Sequence, residues 1–268
     1  MEESDFSAII TLITSQTGII PRESHKTGIK NFIDKRMREL DLKGIPYHSY
    51  LRINGDEFDR LINAATVNET YFFREEAQFK LLKEKILPAL RAKSGSNPLR
   101  IWSAAASSGE EIYSLYLLAS SLGIKSQCIA SDINDDVLNK CGKGLYSAAS
   151  LKSDGSKFHY LLAPFQKIDK SLAFPQSVSS KIERQKLNLC LENAEFPKNI
   201  NIVFMRNVFI YFSMEMRKQI LKKIVEESLC DDGYLFVSMS EIASFDSSIV
   251  PKCLEKCSDG KVFYFHKK

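Results

Sequence analysis

The sequence predicts an α/β fold with a small all-helical N-terminal part, and three observations predict it. Residues 5 to 65 carry only the 3.6-residue apolar period of short amphipathic helices. From residue 99 onward, short apolar strand-like runs alternate with helical ones. Such a βαβα order implies a mostly parallel sheet with helices on both faces. The composition agrees: 268 residues, 44% hydrophobic and 26% charged, suffice for one or two domains with a real core.

The elements follow in order. "DFSAIITLITSQTG" predicts a helix with Asp5 as its cap and Gly18 as its stop. In the next helix Ile29, Phe32, Ile33, Met37 and Leu40 form one apolar stripe at 100° per residue, which leaves Lys26, Lys30, Lys35 and Arg38 on the opposite and flanking faces. Arg36 falls inside the stripe, where an internal ion pair is expected. Between residues 26 and 38, five bases (Lys26, Lys30, Lys35, Arg36, Arg38) against Asp34 leave a local excess of four, read either as a solvated face or as a docking surface. "SYLRI" and "EFDRLINAAT" predict two more helices. The stretch "TVNETYFFREE", Thr66 to Glu76, fits no regular element, with polar residues directly before three aromatics and an arginine. Residues 76 to 93 form an apolar-periodic helix that ends in the turn "SGSNP". Then come "LRIWSAA", a helix from Gly109 to about Ser121, "SQCIASD", the helix "NDDVLNKCGK", "NIVFMRN", the helix "SMEMRKQILKKIVEESL", "GYLFVSMS" and "KVFYFHK".

Several function classes are disfavoured. The N-terminus has acids where a secretory signal needs positive charge, and no apolar run nears the roughly 18 residues of a membrane span, so the chain reads as soluble, cytoplasmic and not membrane-inserted. The six cysteines form no CxxC pair and only four histidines exist, so reduced thiols and no metal are expected. A net charge of +4 is too small to argue for a nucleic-acid surface.

Doubly wound sheets bind ligands beyond the carboxyl ends of their strands, so the first two strand ends are where chemistry is expected. The first ends in "WSAAASSGEEIYS", small residues that let a ligand approach the backbone, followed by Glu110 and Glu111. This is not GxGxxG, and two carboxylates at a helix start disfavour a pyrophosphate while favouring a cationic centre. The second ends in "ASDIN", with Asp132 twenty-three residues after Gly109, the spacing at which an acid takes ribose hydroxyls. Asp132 as a helix cap is the competing reading. Together these features suggest a nucleoside bearing positive charge, and S-adenosylmethionine fits that description.

Five blocks, "TVNETYFFRE", "IWSAAASSGEEIYSL", "ASDINDDVLNKCGKGLY", "VFMRNVFIYF" and "GYLFVSMSE", come in an order and at spacings that resemble the CheR-type chemotaxis receptor protein-glutamate O-methyltransferases over nearly the whole chain. The resemblance implies a small all-α N-terminal domain (residues 1–66) for receptor docking, a domain-crossing segment and helix (67–93), and a Rossmann-like SAM-dependent methyltransferase domain (94–268). An inserted antiparallel β-subdomain is implied at about 158–187. It further implies that Asn68, Thr70 and Arg74 contact the cofactor or the active site, that Glu111 holds the cofactor's amino-acid end and Asp132 its ribose, and that Asn188 and Leu189 flank the adenine. Asn207 and Val208 would sit at a strand end beside Tyr211. Arg74 and Tyr211 would be catalytic, orienting a glutamate carboxylate that needs no general base because it is ionised at pH 7. Tyr71, Phe72 and Phe73 are expected to pack the domain junction. The products would be a glutamyl γ-methyl ester and S-adenosylhomocysteine. The implied partner of this monomer is the cytoplasmic signalling domain of methyl-accepting chemotaxis receptors, met by Lys26, Lys30, Lys35 and Arg38 on a domain that the cofactor does not require. The rival readings are a SAM-binding docking or sensing module without turnover and a nucleic-acid methyltransferase; "RNVFIYF" lacks the NPPY-like motif usual in amino-methylating enzymes.

Overall fold

The computed structural model describes residues 2–42 and 44–268. Helix α1 (Glu3–Thr17) stops where expected: Gly18 has φ 70°, and its N–H bonds to the Thr14 carbonyl. Asp5 is not its cap. Glu2 takes that position, and the Asp5 carboxylate engages the ring of His48 instead. Helices α2 (Glu23–Glu39), α3 (Tyr47–Ile53) and α4 (Gly55–Ala65) close around Ile9, Ile13, Ile29, Ile33, Leu51 and Leu61. Each such side chain contributes about 1.5–3 kcal/mol by leaving water. Arg36, inside the apolar stripe, makes the internal ion pair that its position calls for. Its Nε and Nη2 each lie 2.7 Å from the buried Glu57 carboxylate, to which the Tyr47 hydroxyl also donates at 2.6 Å. Burial alone pushes the Glu57 carboxyl up, but these donors outweigh it and hold the group below the usual range.

After the irregular stretch 66–75 come α5 (Glu76–Leu81) and α6 (Leu87–Ser94), joined by a π-helical turn over Leu82–Ile86. There follow β1 (Leu99–Ala104), α7 (Glu110–Ser121), β2 (Ser126–Asp132), α8 (Asp135–Lys143), β3 (Leu145–Tyr146), β4 (Leu172–Ala173), α9 (Gln176–Ser179) and β5 (Ile182–Lys186). The chain ends with β6 (Ile200–Phe204), α10 (Met214–Lys223), β7 (Leu229–Phe236), β8 (Leu254–Asp259) and β9 (Val262–Lys267). The main sheet has the order β5-β2-β1-β6-β7-β9-β8. It is parallel from β5 to β7, with β9 and β8 antiparallel at one edge. Alternate residues of each strand face opposite cores: Ile101 and Ile202 pack on one side, Trp102 and Val203 on the other.

Two departures are local. The pattern reading has no strand at β8, because "LEKCSD" is an edge strand whose only buried residue is Leu254, so it carries no apolar alternation. The antiparallel part of the insert is short. β3 pairs with β4 through Leu145↔Ala173 and Tyr146↔Leu172, and Gln166 adds one bridge. Within 158–187, 3-10 turns at Ser156–Leu161 and Ala163–Phe165 occupy the start, and β5 joins the main sheet parallel to β2.

Candidate functional site

The carboxyl ends of β1, β2 and β6 open into a cleft of about 1010 Å³, counting the part open to solvent. It lies where the strand order reverses, with β2 on one side of β1 and β6 on the other. Asn68, Thr70, Arg74, Glu111, Asp132, Asn188, Leu189, Asn207, Val208 and Tyr211 all line this cleft. Lys26, Lys30, Lys35 and Arg38 do not line it; they stand on α2.

The small residues after β1 permit a backbone that larger ones would resist. Ala105 and Ser107 have φ of 60° and 50°, and Gly109 has φ 94°. This loop is pinned to the end of β2: Ser107 N–H donates to Asp132 Oδ2 at 2.8 Å, while Asp132 Oδ1 accepts from Asn134 N–H at 3.0 Å. Asp132 is therefore not the cap of α8. Asn134 is, its Oδ1 accepting from the N–H groups of Asp136 and Val137. A carboxylate has about four acceptor sites, so Asp132 keeps capacity toward the cleft. Burial raises its carboxyl above the usual range despite the N–H groups bonded to it.

Glu110 and Glu111 have separate fates. Glu110 is buried and accepts from the hydroxyls of Ser108 and Ser150. Glu111 accepts from Ser103 Oγ at 2.6 Å and from Arg206 Nε at 2.7 Å. The negative field at the start of α7 is thus weaker than two free carboxylates would give, because Arg206, which also lies 3.6 Å from the Glu75 carboxylate, offsets part of the Glu111 charge. Arg206 is a cleft residue that pattern reading missed. Its signal was present: an arginine directly after the wholly buried run "VFM" must have buried partners. Its Nη1 also reaches the Arg74 carbonyl at 2.7 Å and Gln78 Oε1 at 3.2 Å. Arg206→Ala would leave Glu111 without its cation inside the fold, so we expect a loss of about 3–5 kcal/mol in urea unfolding. A loss under about 1 kcal/mol would mean that Glu111 is fully solvated, as surface pairs are.

The order of "TVNETYFFREE" now has a physical reason. Phe72 and Phe73 are fully buried, with ring centroids 5.0 Å from Tyr146 and 5.3 Å from Phe158. Arg74 sits between two left-handed residues, Phe73 at φ 55° and Glu75 at φ 60°. Such conformations cost of order 1–3 kcal/mol each and persist only where surrounding contacts impose them. The turn points the Arg74 side chain back to the cleft, where Nη1 donates to the Glu69 carbonyl at 3.0 Å.

Asn207 has φ 58°, and its N–H donates at 2.8 Å to Glu241, a buried residue that also accepts from Ile210 and Ser238 N–H groups. Glu241 thereby fixes the "RNV" turn; it ends the block "GYLFVSMSE". Burial raises the Tyr211 phenol, which keeps it a donor at neutral pH. Asn188 lines the cleft, yet its Nδ2 donates to the Gln16 carbonyl at 2.8 Å and its Oδ1 accepts from Cys190 N–H, so much of its side chain holds α1 in place. The helical region, expected to be a domain that the cofactor does not require, contributes to the wall of the cleft. Thr17, Ile19, Pro21 and His25 form one wall, and Ile20 N–H bonds to the Tyr211 carbonyl at 2.9 Å.

A mostly parallel sheet with this order, a pinned small-residue loop after β1 and a buried acid ending β2 give the architecture of Rossmann-like, nucleoside-binding α/β proteins. The family model described as "CheR methyltransferase, SAM binding domain" matches residues 68–255. "Chemotaxis protein methyltransferase 2" of Vibrio cholerae is 34% identical, over 92% of this chain and 88% of that protein. The "Chemotaxis protein methyltransferase" of Salmonella typhimurium is 32% identical over 90% and 84%, and that of Escherichia coli 31% over 90% and 85%. The chain belongs to the CheR methyltransferase family, and its cofactor is S-adenosylmethionine. The residues present fit that group: a buried carboxylate for hydroxyls, apolar Ile133, Leu187 and Leu189 for a base, and Glu111 for an ammonium. No helix among the described residues is long and apolar enough to cross a membrane.

Proposed function

We propose that the protein methylates glutamate side chains in the cytoplasmic signalling domain of methyl-accepting chemotaxis receptors. The observation that carries this reading is the convergence of two side-chain donors, Arg74 and Tyr211, on the same cleft as Glu111 and Asp132. When bound, the cofactor supplies a methyl group on a sulfonium, and a glutamate carboxylate that takes it becomes a γ-methyl ester. The chain's own task is to align and partly desolvate that carboxylate without neutralising it. Arg74 orients it by paired hydrogen bonds and Tyr211 donates one more. A tighter clamp would stabilise the ground state and slow transfer. In this reading residues 1–66 dock the receptor, 67–93 cross between domains and 94–268 carry the transferase.

Lys26, Lys30, Lys35 and Arg38 are the proposed docking residues. Three of them have carboxylate neighbours: Glu23 lies 2.8 Å from Lys26, Glu3 3.8 Å from Lys30 and Glu39 3.7 Å from Lys35. The field is therefore weaker than the local excess of four suggests, and dissolved ions screen it with a Debye length of about 8 Å at physiological salt. Changing Lys30, Lys35 and Arg38 together to Glu is expected to raise the KM for receptor several-fold and leave cofactor affinity unchanged. The wild-type KM should itself rise with salt. An unchanged KM at low salt would place recognition elsewhere. The function itself is tested by peptide mass spectrometry of receptor domain incubated with enzyme and cofactor, which should find single methyl groups confined to glutamates.

A further inference from the structure

We propose that Asp154, at the surface beyond the cleft, is a positioning residue for Arg74 and sets the turn that presents its guanidinium. This rests on the role given to Arg74 above. The Asp154 carboxylate grips the segment on both sides of that residue. Oδ2 accepts from Glu75 N–H at 2.8 Å and from the Tyr71 hydroxyl at 2.9 Å, and Oδ1 accepts from Glu76 N–H at 3.2 Å. Glu75 and Glu76 open α5, which has no capping side chain of its own at the N-cap, so the cap comes from a loop 79 residues downstream of Glu75.

The left-handed conformations at Phe73 and Glu75 need such an external hold. On the Phe73 side it is Ser114 Oγ, 3.0 Å from the Phe73 nitrogen; on the Glu75 side Asp154 holds the backbone N–H, while Arg206 holds the Arg74 carbonyl at 2.7 Å and Met239 N–H donates to the Glu75 carboxylate at 3.1 Å. A second route to Arg74 runs through Tyr71, whose ring centroid lies 5.4 Å from the guanidinium carbon and whose hydroxyl Asp154 holds. The whole loop is seated on this segment. Phe72 N–H donates to the Ser150 carbonyl at 3.1 Å, and Lys157 N–H to Glu76 Oε2 at 3.0 Å. Gly155 has φ 94°, and a Cβ there would lie 2.7 Å from the Phe72 carbonyl oxygen, so the approach is as close as backbone allows. Burial would raise the Asp154 carboxyl, but the Glu75 and Glu76 N–H groups and the Tyr71 hydroxyl outweigh it and lower it, so the acceptor is ionised at neutral pH. Neither Asp154 nor any other residue from 150 to 157 lines the cleft. A defect there should thus reach turnover through Arg74 and leave the cofactor alone.

Asp154 is exposed, so its substitution spares the core. The test measures single-turnover methyl transfer from labelled cofactor to a chemoreceptor signalling domain that the wild-type protein modifies. Asp154→Ala, Asp154→Asn and Tyr71→Phe are made singly, and Asp154→Ala also in an Arg74→Lys background. Asp154→Ala should lower the rate about tenfold or more with cofactor Kd unchanged; Asp154→Asn and Tyr71→Phe, which keep part of the network, should lose less. In the Arg74→Lys background Asp154→Ala should add under about twofold, because both act on one contact. Full multiplication of the two losses, a weakened cofactor Kd, or an unchanged rate in Asp154→Ala while Arg74→Lys is impaired would each overturn the proposal alone. A wild-type rate in Arg74→Lys would overturn the reading of Arg74 and this proposal with it.

Discussion

Arg74→Ala should lower the rate of methyl transfer by about a hundredfold or more while the protein stays folded. The side chain is half-buried and lines the cleft; among the described residues it donates to the Glu69 carbonyl and stands over the Tyr71 ring, both outside the buried core. What it offers is a planar fork held by a strained turn, matched to a carboxylate. Arg74→Lys should also be poor, since one ammonium on a flexible stem cannot reproduce a two-pronged contact. Single-turnover rates near wild type in either variant would contradict the role. A large fall in Tm would show that Arg74 supports the fold instead.

Asp132→Ala should weaken S-adenosylmethionine binding by about 1.5–3 kcal/mol, roughly ten- to a hundredfold by calorimetry. Two sources would feed this loss: the acceptor capacity that Asp132 keeps toward the cleft, proposed above for hydroxyls, and the bond to Ser107 N–H that shapes the loop after β1. A pH dependence follows from the burial that raises the Asp132 carboxyl. The ionised form accepts hydroxyls, so affinity is full above the raised value. It falls as pH drops through that value, starting higher than for an ordinary aspartate near 3.9. The contribution to folding has the opposite sign. The folded chain holds this proton more tightly than the unfolded one, so the stability from the protonated form is present below the unfolded pKa and is lost as pH rises through the folded one. Asp132→Asn should remove the pH dependence of binding; an unchanged profile would assign it to another group.

Much of this site was legible because strand ends and small-residue turns advertise themselves. "WSAAASSG" and "ASDIN" mark the mouths of β1 and β2 by residue type alone, and the cleft is lined by every residue assigned to the cofactor. What escaped was long-range pairing. Asp5 looks like a cap because local sequence cannot show that His48 competes for it. Arg206 and Glu111 are 95 residues apart, and nothing in either segment announces the other. The same holds for Asp154 and the α5 N-terminus. The N-terminal wall of the cleft was hidden for a related reason: Ile19 and Pro21 lie in an ordinary interhelical loop, and the long-range bonds from Ile20 N–H to Tyr211 and from Asn188 to Gln16 bring them to the site.

The chemistry of the methylated group decides the proposed function. Purified protein, S-adenosylmethionine tritiated on its methyl and a chemoreceptor signalling domain should give labelled receptor from which mild base releases volatile methanol, as a carboxyl methyl ester does. The label should vanish in the Arg74→Ala variant and persist in a protein with Lys30, Lys35 and Arg38 intact at low salt. Label that resists base, or that stays absent although the protein binds the cofactor and the receptor together, would contradict it.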